Sequence, residues 1–385
     1  MTTTREKLAT NRTRLGFFRE RGDELEALDL AVLTRQHVLL VGPPGTAKSL
    51  LARTFCAQFS DAVYWEGLLT RQTVEDQILG HLDVPAFVAG RQEYRFDGYL
   101  PPAHLAFIDE CFKATGGLLN SLLGVLNERQ LCRGPVRYSC PLVSAIGASN
   151  EWGEDDATAA LEDRFVLRCA VGYVEDRAER TAYLRDRANR VTPPALEPVT
   201  LAELEQAQRE VAATPVDPTV DPVLCDLAEQ LARVGVVLSD RRLGQCQEIL
   251  QAAAWLAGDS EAGVEHLDAL RHVLWSRPEQ IPAVLAALAN VDKGIVGEIR
   301  ALVEPILDRY HNLRAACGAD GSWSSESSRR AYLGACPAMA QELRTAAATL
   351  KARRPSLPAR VAARVAGYRD EMKVAYAQIQ EDAKL

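Results

Sequence analysis

The segment Gly42-Pro43-Pro44-Gly45-Thr46-Ala47-Lys48-Ser49 carries the densest chemical signal in the chain. It follows the apolar run Val38–Val41 and leads into Leu50 and a helix-forming stretch. A strand, a glycine loop and a helix opening with Lys-Ser point backbone N–H groups and a helix N-terminus at an anion. In that geometry Lys48 reaches the outer phosphates of a nucleotide and the Ser49 hydroxyl ligates magnesium. Ala47 stands where the pattern usually has glycine. At negative φ alanine costs little there; at positive φ it is strained.

A second signal lies downstream. Leu105–Ile108 is an apolar strand ending in Asp109-Glu110. Beside a phosphate loop such a pair has a definite use: Asp109 holds magnesium through water, and Glu110 orients and deprotonates the attacking water. Either acid alone is weak evidence, because strands often end in a charge. With the loop, the pair points to nucleotide hydrolysis.

These groups need a scaffold. Short apolar runs at His37–Val41, Ala62–Glu66, Leu105–Asp109, Leu142–Ala148 and Phe165–Val171 alternate with helical patterns. Continuous apolar strands separated by helices predict an α/β fold with a doubly wound parallel sheet. After Tyr173 the strand signal stops. Glu175–Arg190, Leu201–Ala213, Val223–Val234, Arg242–Ala257 and His266–Trp275 read as helices of an all-helical domain ending near Arg277-Pro278. Glu298–Ala316, Arg329–Arg353 and Pro358–Asp382 read as three long helices, interrupted by the Gly/Ser-rich Gly318–Ser328 and by Pro355–Pro358. The expected domains are therefore 1–174, nucleotide-binding; 175–278, a helical lid; and 279–385, a helical accessory or partner unit.

Composition excludes several classes. With 47% hydrophobic and 25% charged residues the chain is an ordinary globular one. The longest clean apolar run, Ala283–Ala289, is far short of the ~20 residues of a membrane helix. Residues 1–14 are basic with no apolar core after them, so no secretory signal is expected. Nine cysteines form no CxxC pair and six histidines no HExxH motif, which disfavours zinc and disulfides and fits a reducing cytoplasm. The net charge of −8 disfavours a nucleic-acid binder. The charge is unevenly spread: Arg329–Lys373 holds ten Lys/Arg against three acids.

Several blocks in order make the chain resemble the MoxR group of AAA+ ATPases, particularly its RavA-like members. They are Arg19-Glu-Arg21, the loop and helix at 42–53, Leu69-Thr-Arg71, Phe107–Ala114, Leu118–Leu123 with Leu126–Gln130, Gly147–Glu151, Leu161–Phe165 and Leu238–Arg242. The resemblance implies further roles. Asn150 matches sensor 1, which positions the attacking water. Arg164 matches an arginine finger offered to a neighbouring subunit, and Arg241, or else Arg242, matches sensor 2. It also implies two inserted hairpins, at Gly80–Tyr99 and Leu131–Cys140. An Mg-ATP-dependent homo-oligomeric ring, expected as a hexamer, would follow. Such a ring would remodel a protein client or insert a cofactor into it, with a von Willebrand factor A-domain partner. The alternative is a nucleic-acid motor, since related helicases share the inserted hairpins. A nucleotide-sensing scaffold without turnover ranks last, because Lys48, Asp109, Glu110, Asn150 and Arg164 are all present.

Overall fold

The structure is a computed structural model that describes residues 2–114, 116–153, 156–315, 317, 323–353 and 359–382. Helices α1 (Thr4–Leu15) and α2 (Gly22–Thr34) precede β1 (Val38–Val41). There follow α3 (Lys48–Cys56), β2 (Tyr64–Leu68) and an inserted segment of α4 (Glu75–Ile78), β3 (His81–Leu82), α5 (Val84–Val88) and β4 (Tyr94–Arg95). Next come β5 (Leu105–Asp109), α6 (Gly116–Leu123), β6 (Gln130–Arg133), β7 (Val136–Ser139), β8 (Ser144–Ser149), α7 (Asp156–Arg164) and β9 (Leu167–Ala170). The remainder is helical: α8 (Arg177–Ala188), α9 (Leu201–Ala213), α10 (Val220–Arg233), α11 (Asp240–Ala257), α12 (Ile281–Arg314), α13 (Glu326–Arg353) and α14 (Ala359–Asp382).

The five expected strands form one parallel sheet in the order β2-β5-β8-β1-β9. β1 and β8 are buried along their whole length, and β5 along all but its last residue. That burial explains the unbroken apolar runs. Two antiparallel pairs, β3 with β4 and β6 with β7, stand where the inserted hairpins are expected. The second turns at Gly134, with φ +61°.

Two compact units emerge, and neither is continuous in sequence. One comprises Met1–Pro215, Leu238–Ser260 and His272–Gln280; the other comprises Val216–Val237, Glu261–Arg271 and Ile281–Leu385. Within the first, the sheet core is built from Leu39, Val41, Ala106, Ile108, Ala145, Leu161 and Phe165. Within it too, α9 and α11 pack on each other and on α2. The ends of these helices are sealed locally. A capping box joins Thr200 and Glu203 at the start of α9, Ser239 caps α11, and Gly258 ends α11 in the left-handed conformation.

In the second unit α12, α13 and α14 pack together around Val303, Leu307, Tyr332, Met339, Leu343 and Met372. The apolar face of α10 (Val220, Leu224, Leu227, Leu231) belongs to this unit, and α10 packs on α12. Three readings of the sequence need adjustment. The helix expected at His266–Trp275 is a 3-10 helix over Val264–His272. α12 begins at Ile281 and runs through Pro305 without a break, well before the expected start at Glu298. β9 begins at Leu167, with Phe165 buried just ahead of it. The expected breaks at 318–322 and 355–358 lie outside the described residues.

Candidate active site

The phosphate loop leaves β1 at the carboxyl edge of the sheet. Gly42 is required there, because a Cβ at this position would lie 2.0 Å from the Val171 carbonyl oxygen. Gly45 takes φ +82°. Ala47 has φ +65° and ψ +25°, the left-handed region, so the loop does demand the conformation that strains alanine. Thr46 Oγ1 donates to the Pro43 carbonyl at 3.0 Å and tightens the loop.

Lys48 opens α3 and is 8% exposed. Its Nζ donates to Gly42 O (2.6 Å), Pro43 O (3.0 Å) and Asn150 Oδ1 (3.2 Å). Burial pulls the Lys48 pKa below the ordinary lysine value, and the nearby Asp109 and Glu110 pull it back up. Asn150, just past β8, donates from Nδ2 to Glu110 Oε1 at 2.6 Å. Glu110 Oε2 lies 3.2 Å from Lys113 Nζ. A continuous chain, Lys48–Asn150–Glu110–Lys113, thus crosses the edge of three adjacent strands. Glu110 itself has φ +51°, a second strained non-glycine residue.

Asp109 Oδ1 accepts the Glu110 backbone N–H at 3.0 Å. Burial raises its pKa above the ordinary aspartate value, and the neighbouring Glu110 charge adds to that. Among the described residues no cation pairs with Asp109, and no hydrogen bond is made by the Ser49 hydroxyl. A free hydroxyl and a desolvated carboxylate are the hard oxygen donors a magnesium ion takes. These residues fit the metal.

Beside the loop lies a cavity of about 390 Å³ lined by Arg12, Phe18, Arg19, Arg21, Leu25 and Glu179, among others. Arg21 Nη2 donates to Gly172 O at 2.7 Å, and Tyr173 Oη to Pro44 O at 3.4 Å. The 171–173 segment therefore joins the cavity wall to the loop.

Arg164 and Arg241 are not brought to this edge. β9 pairs in parallel with β1, Leu167 opposite Val38, so Arg164 sits below the start of both strands. Each strand has four residues and spans about 13 Å, which separates Arg164 from the loop. There Arg164 Nη1 binds Asp163 Oδ2 at 3.0 Å. Arg241, 43% exposed, donates to Asn127 Oδ1 at 3.0 Å and lies 3.7 Å from the same Asp163. Arg242 is different: it is buried, bonds Ser276 Oγ at 3.0 Å and pairs with Asp163 Oδ1 at 3.4 Å. Of the two, Arg241 is the more exposed.

The model of the MoxR domain found in MoxR–vWA–β-propeller ternary systems matches residues 7–205, and an AAA lid-domain model matches 219–288. The chain belongs to the MoxR family of AAA+ ATPases. Two uncharacterised proteins of Methanocaldococcus jannaschii are each 30% identical to this MoxR protein over 77% of its length, covering 79% and 77% of their own. The chaperone MoxR1 of Mycobacterium tuberculosis is 30% identical over 44% of each chain. In fold the chain is similar to an ATPase-designated crystal structure from Cytophaga hutchinsonii, with a TM-score of 0.59 at 16% identity, covering 74% of this chain and 94% of that one.

Some residues of the MoxR site escaped the sequence reading. Lys113 lies three residues after Glu110, a spacing that could have signalled the pair. Asp163, the acid on which three arginines converge, has no such signal, because an acid near a helix end usually reads as surface charge.

Proposed function

We propose that this MoxR-family chain hydrolyses Mg-ATP at the carboxyl edge of its sheet, with Arg164 and Arg241 acting on the nucleotide of a neighbouring copy. The observation that carries the proposal is the hydrogen-bonded chain Lys48–Asn150–Glu110. It sets the phosphate-binding cation, the water-positioning amide and the general base in one line.

Each residue has its part. The loop amides from Gly42 to Ser49 and the N-terminus of α3 hold the phosphates. Lys48 moves from its carbonyl partners to the outer phosphate oxygens. Ser49, and Asp109 through water, would hold a magnesium ion, whose charge offsets that of the phosphates. Asn150 orients the attacking water, and Glu110 takes its proton. The cavity beside Arg21 and Gly172 is large enough for the remainder of the nucleotide.

Acting in trans requires assembly, so this reading includes a homo-oligomeric ring, expected as a hexamer. The matched family description supports a von Willebrand factor A-domain partner, and a protein client, to be remodelled or supplied with a cofactor, is part of the proposal. Described helices include none long and apolar enough to cross a membrane, and a cytoplasmic setting is part of the proposal. The 1–174, 175–278 and 279–385 division is retained as a functional one.

Steady-state ATP turnover with and without single-stranded DNA tests this reading. Magnesium-dependent turnover that Glu110→Gln abolishes and DNA leaves unchanged is expected. A turnover strongly stimulated by DNA would favour the motor, and none at any protein concentration would favour a scaffold.

A further inference from the structure

Asn150 stands one residue beyond the end of β8 and is exposed. Its amide nevertheless spans two partners, accepting from Lys48 and donating to Glu110. An exposed side chain keeps such a geometry only where the backbone that carries it is fixed. The sheet fixes that backbone on one side, through Ser149 paired with Val41. On the other side the task falls to segment 151–153.

That segment is held by a closed ring of bonds. Gly153 is buried, and its N–H donates to Glu162 Oε1 at 3.1 Å. The same Oε1 accepts from Arg277 Nη1 at 2.9 Å, and Arg277 Nη2 donates to the Gly153 carbonyl at 3.1 Å. One ion pair thus grips both backbone polar groups of one residue, and its acid is only 6% exposed. Charge-assisted bonds are the strong ones, and a planar guanidinium bridges two acceptors in a fixed geometry. The same guanidinium lies over the Trp152 ring, 5.1 Å from its centroid, and Trp152 packs on the sheet core. A Cβ on residue 153 would come 2.3 Å from Thr158 Oγ1, so the ring closes on a glycine.

Arg277 is itself anchored. Gln280 Oε1 accepts the amides of Ser276 and Arg277, at 2.7 and 3.1 Å. Just before it, the Trp275 carbonyl accepts from the buried Arg168 of β9, and Ser276 Oγ from Arg242 of α11. The grip therefore ends three residues from the amide of Asn150, on a support that includes neither the phosphate loop nor Lys48.

We propose that Arg277, acting with Glu162, is a positioning residue for ATP hydrolysis: it fixes segment 151–153 and so aims Asn150 at the attacking water. This rests on the role proposed for Asn150. It goes further by assigning what holds that residue in line.

The test uses full-length protein at saturating Mg-ATP, at a concentration where mass photometry gives wild-type assembly. Arg277→Met, which keeps the aliphatic stem, should lower kcat about tenfold or more. Its affinity for a fluorescent ATP analogue should stay within about twofold of wild type, since the phosphate loop is untouched. Arg277→Lys should recover part of the rate. Glu162→Gln keeps an acceptor for the Gly153 amide but loses the charge. It should show a smaller loss of the same kind, and it serves if Arg277→Met does not fold. Single-turnover rates in an Asn150→Ala background show whether the effect passes through the amide: there Arg277→Met should cost nothing further. Wild-type kcat in Arg277→Met overturns the proposal, and so do losses that multiply in the double variant. If Asn150→Ala is slow while Arg277→Met is fast, the clamp falls and the reading of the site survives. If Asn150→Ala is as fast as wild type, the role of Asn150 falls and the clamp with it.

Discussion

The two edges of the central sheet are organised on opposite principles. At the carboxyl edge, Lys48, Asn150, Glu110 and Lys113 alternate cation, amide, anion and cation, each bonded to the next. At the amino edge three arginines converge on the single carboxylate of Asp163. With Asp109 beside this chain of groups, the first edge is balanced within one chain. The second carries surplus positive charge, which suits a phosphate brought by another chain.

The sharpest way to break this contrast is at the balanced edge. Lys48→Ala should abolish nucleotide binding measured by fluorescence titration, and Glu110→Gln should preserve binding while turnover falls to background. Equal affinity in wild type and Lys48→Ala would remove the phosphate loop from the site.

The next effect concerns the surplus edge. Arg164→Ala should bind ATP normally yet lose on the order of 10³-fold in kcat. Mixed with Lys48→Ala, which keeps its finger, it should recover part of the lost activity. Mixed rings that form yet stay inactive would place the finger elsewhere.

A smaller effect separates the two neighbouring arginines. Arg242→Ala leaves a buried gap beside Ser276, while Asp163 keeps Arg164 and Arg241, and should cost about 2 kcal/mol in a denaturant titration. Arg241→Ala should change stability by less than about 0.5 kcal/mol and affect turnover only in assembled protein. The reverse pattern would exchange their roles.

The smallest effect is at Ala47. Relief of its left-handed φ by Ala47→Gly should stabilise the fold by ~0.5 kcal/mol, since the gain from lost strain slightly exceeds glycine's entropic cost. A destabilised variant would mean that the loop carries no strain there.

Much of this was legible in the residue order, where local signals agree with packing. β5 ends at Asp109 as expected because an apolar run meets a charge at the sheet edge. α9 spans Leu201–Ala213 as expected because a capping box opens it. The family followed from motif blocks that stand in a definite order along the chain. What remained hidden depends on tertiary context. The sign of φ at Ala47 is set by the loop's path, not by alanine. The membership of α10 in the second unit is set by its packing on α12, which a boundary at 278 would sever. Three arginines sharing Asp163 come from α7 and α11, 70 to 80 positions apart in sequence, and no local pattern joins them.

Gly147, in the middle of β8, has a mechanical consequence. A methyl group there would lie 2.6 Å from the tip of the Phe165 ring, so the ring tip is fitted against the strand backbone. Phe165 follows Arg164, and Gly147 precedes by three positions Asn150, which directly follows the strand. A tug by a neighbour's phosphate on the arginine would load that aromatic plunger, and the stiff strand would carry the displacement to the far edge. Subunits joined in this way would fire in step. Gly147→Ala should wedge the joint and flatten the cooperativity of turnover with ATP concentration, while an unchanged Hill coefficient would show that the two edges work without this linkage.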